Sequence, residues 1–360
     1  MARRMAPDRL LFLLTLGLLV FGLVMLYSAS AFVADASDRS PSYFLGRQAA
    51  WAALGCLAMI AVARSDYRML NRPAVVWALY GVVIVSLFAA LLSPAINGVN
   101  RWVQFAGFTL QPSEPARLGL VVTLAHLLAA RSADSFRTLW LPLVATGFLA
   151  VLIYLQPDLG TATLLVLVAA SVIFLGGARL KHLAGLAAVG VPLFAAGVLA
   201  ADYRIARILT FLDPFADPLG DGFQLSQSLI ALGSGGLTGV GFAASRQKLL
   251  YLPEPHSDFV FSVVGEELGF IGAGLVVVFF LLFTVRGLVV SSRASDRFGM
   301  LLGAGATLTI ALQAFLNFSV ATAILPTTGL PLPFVSAGGS SLLTTMLAAG
   351  LVLSVSQRVP

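Results

Sequence analysis

Five ionisable side chains crowd into the stretch Glu254–Glu267: Glu254, His256, Asp258, Glu266 and Glu267. The chain as a whole is 11% charged and holds three His, so this density is unusual. Pro253 and Pro255 precede the carboxylates, and an apolar helical run follows. Charge placed where a hydrophobic helix meets water is costly unless it is paired or used. A carboxylate beside an imidazole suits proton transfer, and Asp258, next to His256 at the mouth of the run, is the candidate for chemistry. Glu266 and Glu267 lie eight and nine residues further on, about 12–13 Å deeper in a continuous helix, and are expected to pair with polar groups inside a bundle.

The elements that carry these residues are membrane helices. Hydrophobic residues make up 59% of the sequence and mean hydropathy is +0.95. Soluble domains sit nearer 45–50% apolar, and several runs here approach the ~20 residues that cross a hydrocarbon core. Ten spans are expected: about Leu10–Tyr27, Leu45–Ala63, Ala74–Leu92, Ser113–Ala130, Leu139–Leu155, Thr161–Gly177, Leu183–Ala201, Asp258–Val285, Gly299–Leu325 and Ser340–Ser356. The fold class is therefore all-α, a single polytopic unit over residues 1–360. Ser28-Ala29-Ser30 has the form of a signal-peptidase site, but the length of the first run and the spans after it favour a retained helix. Cys56, the one cysteine, excludes an intrachain disulfide.

An even number of spans puts both termini on one side. With the N-terminus cytoplasmic, fourteen of the 22 Lys and Arg fall in inside segments and seven in outside ones, with Arg117 within a span. Most of the seven lie in one long loop, about 201–257, where the positive-inside rule counts less. The net charge of +6 thus follows topology and does not point to nucleic acid.

On this topology the unusual residues gather at the outer face. Gln111-Pro112-Ser113-Glu114 opens span four. Gln156-Pro157-Asp158-Leu159-Gly160 turns between spans five and six. Ser336-Ala337-Gly338-Gly339-Ser340-Ser341 opens span ten, and Asn97-Gly98-Val99-Asn100-Arg101-Trp102 precedes span four. Each also has a plain structural reading. Pro in a first turn with an acid beside it caps a helix, Glu114 and Arg117 are spaced as an i,i+3 pair, and Asp158 sits in a tight turn.

The strings NGVNRW, QPSE, QPDLGT, FLDPFADPLGDGFQ, QSLIALGSGG, LPEPHSDFVFSVVGEELG and LPTTGLPLPFVSAGGSS, in this order among ten spans, resemble the SEDS proteins, the FtsW/RodA glycosyltransferases of bacterial wall synthesis. VMLYSAS, SRQKLLYLPE and ILPTTGLPLPF resemble FtsW more than RodA. The sequence departs from the family in Arg117 for a usual Lys, Ser257 for a usual Thr and Ala337 for a usual Tyr. Arg's planar fork is not equivalent to the point charge of Lys.

The resemblance implies inverting polymerisation of lipid II at the outer face of the bacterial cytoplasmic membrane, in division or elongation. It implies Asp258 as general base, with His256 as an alternative base or orienting partner and Glu114 as a further catalytic candidate. Arg101, Arg117, Arg204, Arg207, Arg246 and Lys248 are the cations available to a pyrophosphate, with Asp158 and Ser340 as further substrate-binding candidates. No metal-ligand spacing is visible; a divalent cation (Mg or Mn) bridging pyrophosphate to a carboxylate stays open. Expected partners are lipid II, a class B penicillin-binding protein and other divisome or elongasome membrane proteins, with no nucleic acid. Two other functions fit the same composition: a lipid II flippase, and a non-catalytic scaffold for the transpeptidase.

Overall fold

The structure is a computed structural model and describes residues 6–96, 98–105, 108–131, 133–218, 220–249 and 251–358. Asn97 of the outer-face motif lies outside the described residues. Twelve α-helices are present among them: α1 (Arg9–Asp35), α2 (Tyr43–Arg64), α3 (Pro73–Leu92), α4 (Ser113–Ala130), α5 (Phe136–Tyr154), α6 (Leu159–Leu175), α7 (Leu180–Leu199), α8 (Asp202–Leu212), α9 (Phe223–Ser234), α10 (Val260–Ser292), α11 (Arg297–Ala321) and α12 (Gly339–Ser356). The helices start where the sequence offers caps. Asp8, Asp158 and Asp296 accept from Leu11 N, Thr161 N and Gly299 N, each meeting an N–H that has no intrahelical partner. Pro73 opens α3, where a missing N–H costs nothing.

Eight of these helices are long and apolar enough to cross a membrane. The shorter α6 is apolar over 17 residues, and α4 carries Glu114 and Arg117. The protein is thus an all-α polytopic membrane protein. Its centre is α12 and α11, in which 83% and 72% of the apolar window is buried, against 6% in α7, which faces outward.

One end of the bundle is closed by ion pairs near both termini. Arg286 pairs with Asp8, Arg358 with Asp66 and Arg68 with Asp296, while Asp8 N donates to Ser356 Oγ at 3.1 Å. The opposite end holds the motifs read from the sequence.

Three features there differ from expectation. A short hairpin pairs β1 (Val103–Phe105) with β2 (Phe108–Leu110) before α4. The long loop contains two helices: α9, and α8, whose DYRIARILTFL pattern is amphipathic. Span eight does not run on from Asp258 as one rod. It starts at Val260 and breaks at Gly269, with φ 69° and ψ −170°.

Contacts with α11 give the directions of the two segments. Asn317 of α11 bonds Asp258 O, and Ser228 bonds both Ser262 and Ala321 O, so 260–268 advances in the same direction as α11. Gly287 lies against Thr307 and Gly303 against Ser291, so 270–292 runs the opposite way. The chain turns back at Gly269. Glu266 and Glu267 therefore lie not deeper below Asp258 but toward the Ala321 end of α11.

Candidate active site

Three consecutive carbonyls around Asp258 are held by other parts of the fold. Ala337 N donates to His256 O at 2.8 Å, Ser336 Oγ to Ser257 O at 2.5 Å, and Asn317 Nδ2 to Asp258 O at 2.9 Å. The same Asn317 nitrogen reaches Leu330 O, and Gln48 of α2 bonds Ser336 O and Gly338 N. The backbone on both sides of the aspartate is thus tied to α2, α11 and the 327–338 segment. Its carboxylate comes within contact distance of Gly329, whose φ of +71° favours a residue without a side chain.

The Asp258 carboxyl is pushed up to about 6, first by burial and then by the negative charge of Glu254; Arg101, Arg207 and a hydrogen bond from Ser257 act against this. The carboxyl group itself is enclosed, while the residue keeps a partial opening to the surface. A carboxylate of this kind is a stronger base than a free one and is still mostly ionised at neutral pH.

His256 is held differently. Burial lowers its pKa and the charge of Glu254 opposes this, with Glu254 Oε2 3.9 Å from Nε2. Its ring packs on Phe44 at 4.6 Å, and Nδ1 is buried without a hydrogen-bond partner. No hydrogen bond joins it to Asp258 among the described residues, so the orienting bond expected between them is not formed.

The six candidate cations separate into groups. Arg117 is locked to Glu114 and donates to Gln313 Oε1 at 2.6 Å, both partners inside the bundle. This is the i,i+3 pair, and it leaves Glu114 engaged. Lys248 is buried and paired with Glu267 Oε1 at 2.7 Å and Ser28 Oγ at 3.0 Å. Arg204 is enclosed by Tyr154, Tyr203 and Gly197 O. Arg246 is exposed, and its backbone N–H is taken by Glu266. Arg101 and Arg207 act electrostatically on Asp258. Arg207 donates to Thr327 O at 3.2 Å, and Arg101 approaches Asp158 at 3.8 Å.

Asp158 has a structural role as well: besides capping α6 it accepts from Thr161 Oγ1 and from Gln111 Nε2 at 3.1 Å. Ser340 accepts from Gln111 N at 3.0 Å, which ties α12 to the start of α4. Gly160 abuts Thr328, so the α6 N-terminus, Asp158 and the 327–329 segment line one side of the cleft. Beside Arg207, a cavity of about 410 Å³ runs between α8 and α9, lined by Thr210, Asp221, Gln224 and Thr327. No group of three or more His, Cys, Asp or Glu is placed to hold a metal ion among the described residues.

Glu266 and Glu267 pair inside the bundle, as their place in an apolar run demands. Glu266 accepts from Ser245 Oγ, Arg246 N and Gln247 N, and Glu267 from Ser28 Oγ, Lys248 and Ala243 N. They fasten the 239–248 segment and α1 to the turn of α10.

Asn317, Gln313, Gln48 and Ser336 were not among the expected site residues. Gln313 and Asn317 are four apart on a mainly apolar helix, a spacing that puts them on one face. That signal was present in the sequence. Ser336 lies in the outer-face string noted in the sequence, but its bond to Ser257 O and that of Gln48 to Ser336 O join groups distant in the chain, which no local pattern reveals.

Residues 8–359 match the family model described as FTSW_RODA_SPOVE, cell cycle protein. The chain is 40% identical to the stage V sporulation protein E of Bacillus subtilis, over 99% of this chain and 98% of the relative. It is also 40% identical to a probable peptidoglycan glycosyltransferase FtsW of Geobacter metallireducens, over 98% and 95%. Among solved structures, it superposes with a TM-score of 0.81 and 32% identity, over 98% of each chain, on one described as the structural coordination of polymerization and crosslinking by a peptidoglycan synthase complex. The rod shape determining protein RodA of Thermus thermophilus superposes with a TM-score of 0.73 and 29% identity, over 98% of this chain and 97% of that one. With the matched strings spread along its length and the fold shared end to end, this chain belongs to the FtsW/RodA/SpoVE family.

Proposed function

We propose that this protein is a peptidoglycan glycosyltransferase that polymerises lipid II into β-1,4 glycan strands. The observation that carries the reading is Asp258: a carboxyl pushed up to about 6 in a cleft faced by two guanidiniums, Arg101 and Arg207. An inverting transfer needs a base beside the attacking hydroxyl and positive charge beside the departing pyrophosphate. The GlcNAc 4-hydroxyl of the acceptor attacks C1 of the MurNAc at the lipid-linked end of the growing strand. The new O–C1 bond forms as the C1–O bond to undecaprenyl pyrophosphate breaks, and the leaving group keeps that electron pair. The hydroxyl proton passes to Asp258. Positioned acid–base help of this kind is worth about 10²–10⁴-fold.

Arg101 and Arg207 bind the pyrophosphate, Arg being suited to two-point phosphate contacts. These are the two of the six candidate cations whose charge acts on Asp258. If a Mg or Mn ion takes part, Asp258 is the carboxylate that would help hold it, and the ion would supply charge neutralisation on the leaving group.

The end holding Asp258 faces outward from the bacterial cytoplasmic membrane and the termini face the cytoplasm, which is the orientation the Lys and Arg distribution favours. A class B penicillin-binding protein is the partner that cross-links the product, within the division or elongation machinery. The likeness to a structure described as a peptidoglycan synthase complex supports this.

The test is polymerisation of labelled lipid II by the purified protein with its cognate transpeptidase, comparing wild type with Asp258→Asn in complexes of equal integrity. Polymer from wild type and none from the variant sustains the reading. Equal polymer from both removes Asp258 as base. Outward movement of lipid II in vesicles with no polymer from either replaces the reading with a flippase.

A further inference from the structure

A second cavity lies at the opposite end of the bundle from Asp258. It measures about 540 Å³ and is formed where α1, α2 and α12 meet. Phe12, Met59, Ile60 and Leu353 make its apolar wall, and Arg64 closes one rim. Ile60 is 38% exposed and Phe12 partly so, so this part of the wall continues onto the outer surface of the bundle, while Met59 and Leu353 lie buried behind it. In a membrane protein, an apolar groove on the outer surface of helices meets acyl chains rather than water.

The charges around it are unevenly matched. Three acids at this end hold an arginine: Asp8 holds Arg286, Asp66 holds Arg358 and Asp296 holds Arg68. Arg64 on the groove rim and Arg9 at the start of α1 are exposed and form no ion pair among the described residues. The groove floor is closed: Gln357, the other polar lining residue, turns its amide inward to Ala63 O and Leu353 O. What remains is an apolar slot with an uncompensated guanidinium at its mouth, the arrangement that binds anionic lipid headgroups between membrane helices.

We infer that this groove is an anionic-phospholipid site, with one acyl chain along Phe12 and Ile60 and the phosphate on Arg64. The site is separate from the Asp258 cleft and independent of the reaction proposed there.

The test uses the full-length protein in phosphatidylcholine vesicles containing a phosphatidylglycerol with a photoreactive group on one acyl chain. Adducts are mapped by mass spectrometry. Adducts should concentrate on Phe12 and Ile60. Unlabelled phosphatidylglycerol should compete about fivefold better than phosphatidylcholine, the preference expected of one guanidinium at the membrane surface. Arg64→Gln, an exposed substitution without folding cost, should abolish that preference. Ile60→Trp should reduce groove adducts and leave those on the lipid-facing α7 unchanged. Adducts spread evenly over exposed helix faces, equal competition by the two lipids, or an unchanged preference in Arg64→Gln would each overturn the inference. So would displacement of the label by inorganic phosphate, which would make this an anion site with no lipid specificity.

Discussion

Phe261 and Phe280 belong to one helix by sequence, yet both rest on the ring of Phe318, at 4.6 and 5.6 Å. In a straight helix they would stand about 28 Å apart. The shared contact requires α10 to fold back between them, and Gly269 is where it does. The short first segment hangs Asp258 inside the bundle, and the long second segment returns toward the ion-paired end.

Gly269→Ala should therefore unfold the site. Its φ of 69° with ψ of −170° is open essentially to glycine alone, and a Cβ would stand 2.3 Å from Gly239 N. The backbone strain alone is about 1–3 kcal/mol. Thermal unfolding in detergent should fall by several degrees, with polymerisation lost alongside. A variant as stable as wild type would mean the turn tolerates a side chain.

The buried Lys248–Glu267 pair gives a prediction with its own control. Lys248→Met leaves Glu267 charged and enclosed with only Ser28 and Ala243 N, which should cost about 3–5 kcal/mol. Replacing both members by Met should recover most of that loss, since the penalty comes from the stranded charge. Denaturation of the two variants side by side decides the matter; equal losses would show that the pair itself stabilises the fold.

Polymerisation should fall as pH drops through about 6, because Asp258 must be ionised to accept a proton. Above neutrality the carboxylate is fully available and this limb flattens. Glu254→Gln removes a negative neighbour that raises the Asp258 pKa, so the acid limb should move to lower pH. Rates over a pH series with a constant-ionic-strength buffer read the shift; a limb that stays in place would separate Glu254 from the site.

Arg207→Gln should move the limb the other way, to higher pH, since its positive charge lowers the Asp258 pKa. It should also reduce kcat/KM about tenfold or more through a lost charged hydrogen bond to pyrophosphate. Arg246→Gln, at a cation that does not act on Asp258, should change neither. If the two substitutions behave alike, Arg207 has no special place.

What could be read without the structure follows the range of the interactions. Glu114 and Arg117 are three apart, so their pairing is written locally, and the apolar runs announce most of the helices directly. Asp258 stood out because charge is rare in such a chain. The partner of Glu267 is Lys248, held also by Ser28 from α1, and nothing near residue 267 names them. The turn at Gly269 hid for a related reason. A glycine in an apolar run is common in membrane helices, and the two adjacent acids were its one visible mark. The six cations looked equivalent in the sequence because their burial depends on neighbours from other helices.

The placement of α12 bears on how the protein is made. It is the most enclosed of the membrane helices, and Gly350 brings its backbone against Met59 of α2, nearly three hundred positions earlier in the chain. Helices inserted one after another during translation must therefore wait, with α2 facing lipid or a chaperone, until α12 arrives to fill the gap. The centre of the bundle is thus filled after α2 on its flank has been made.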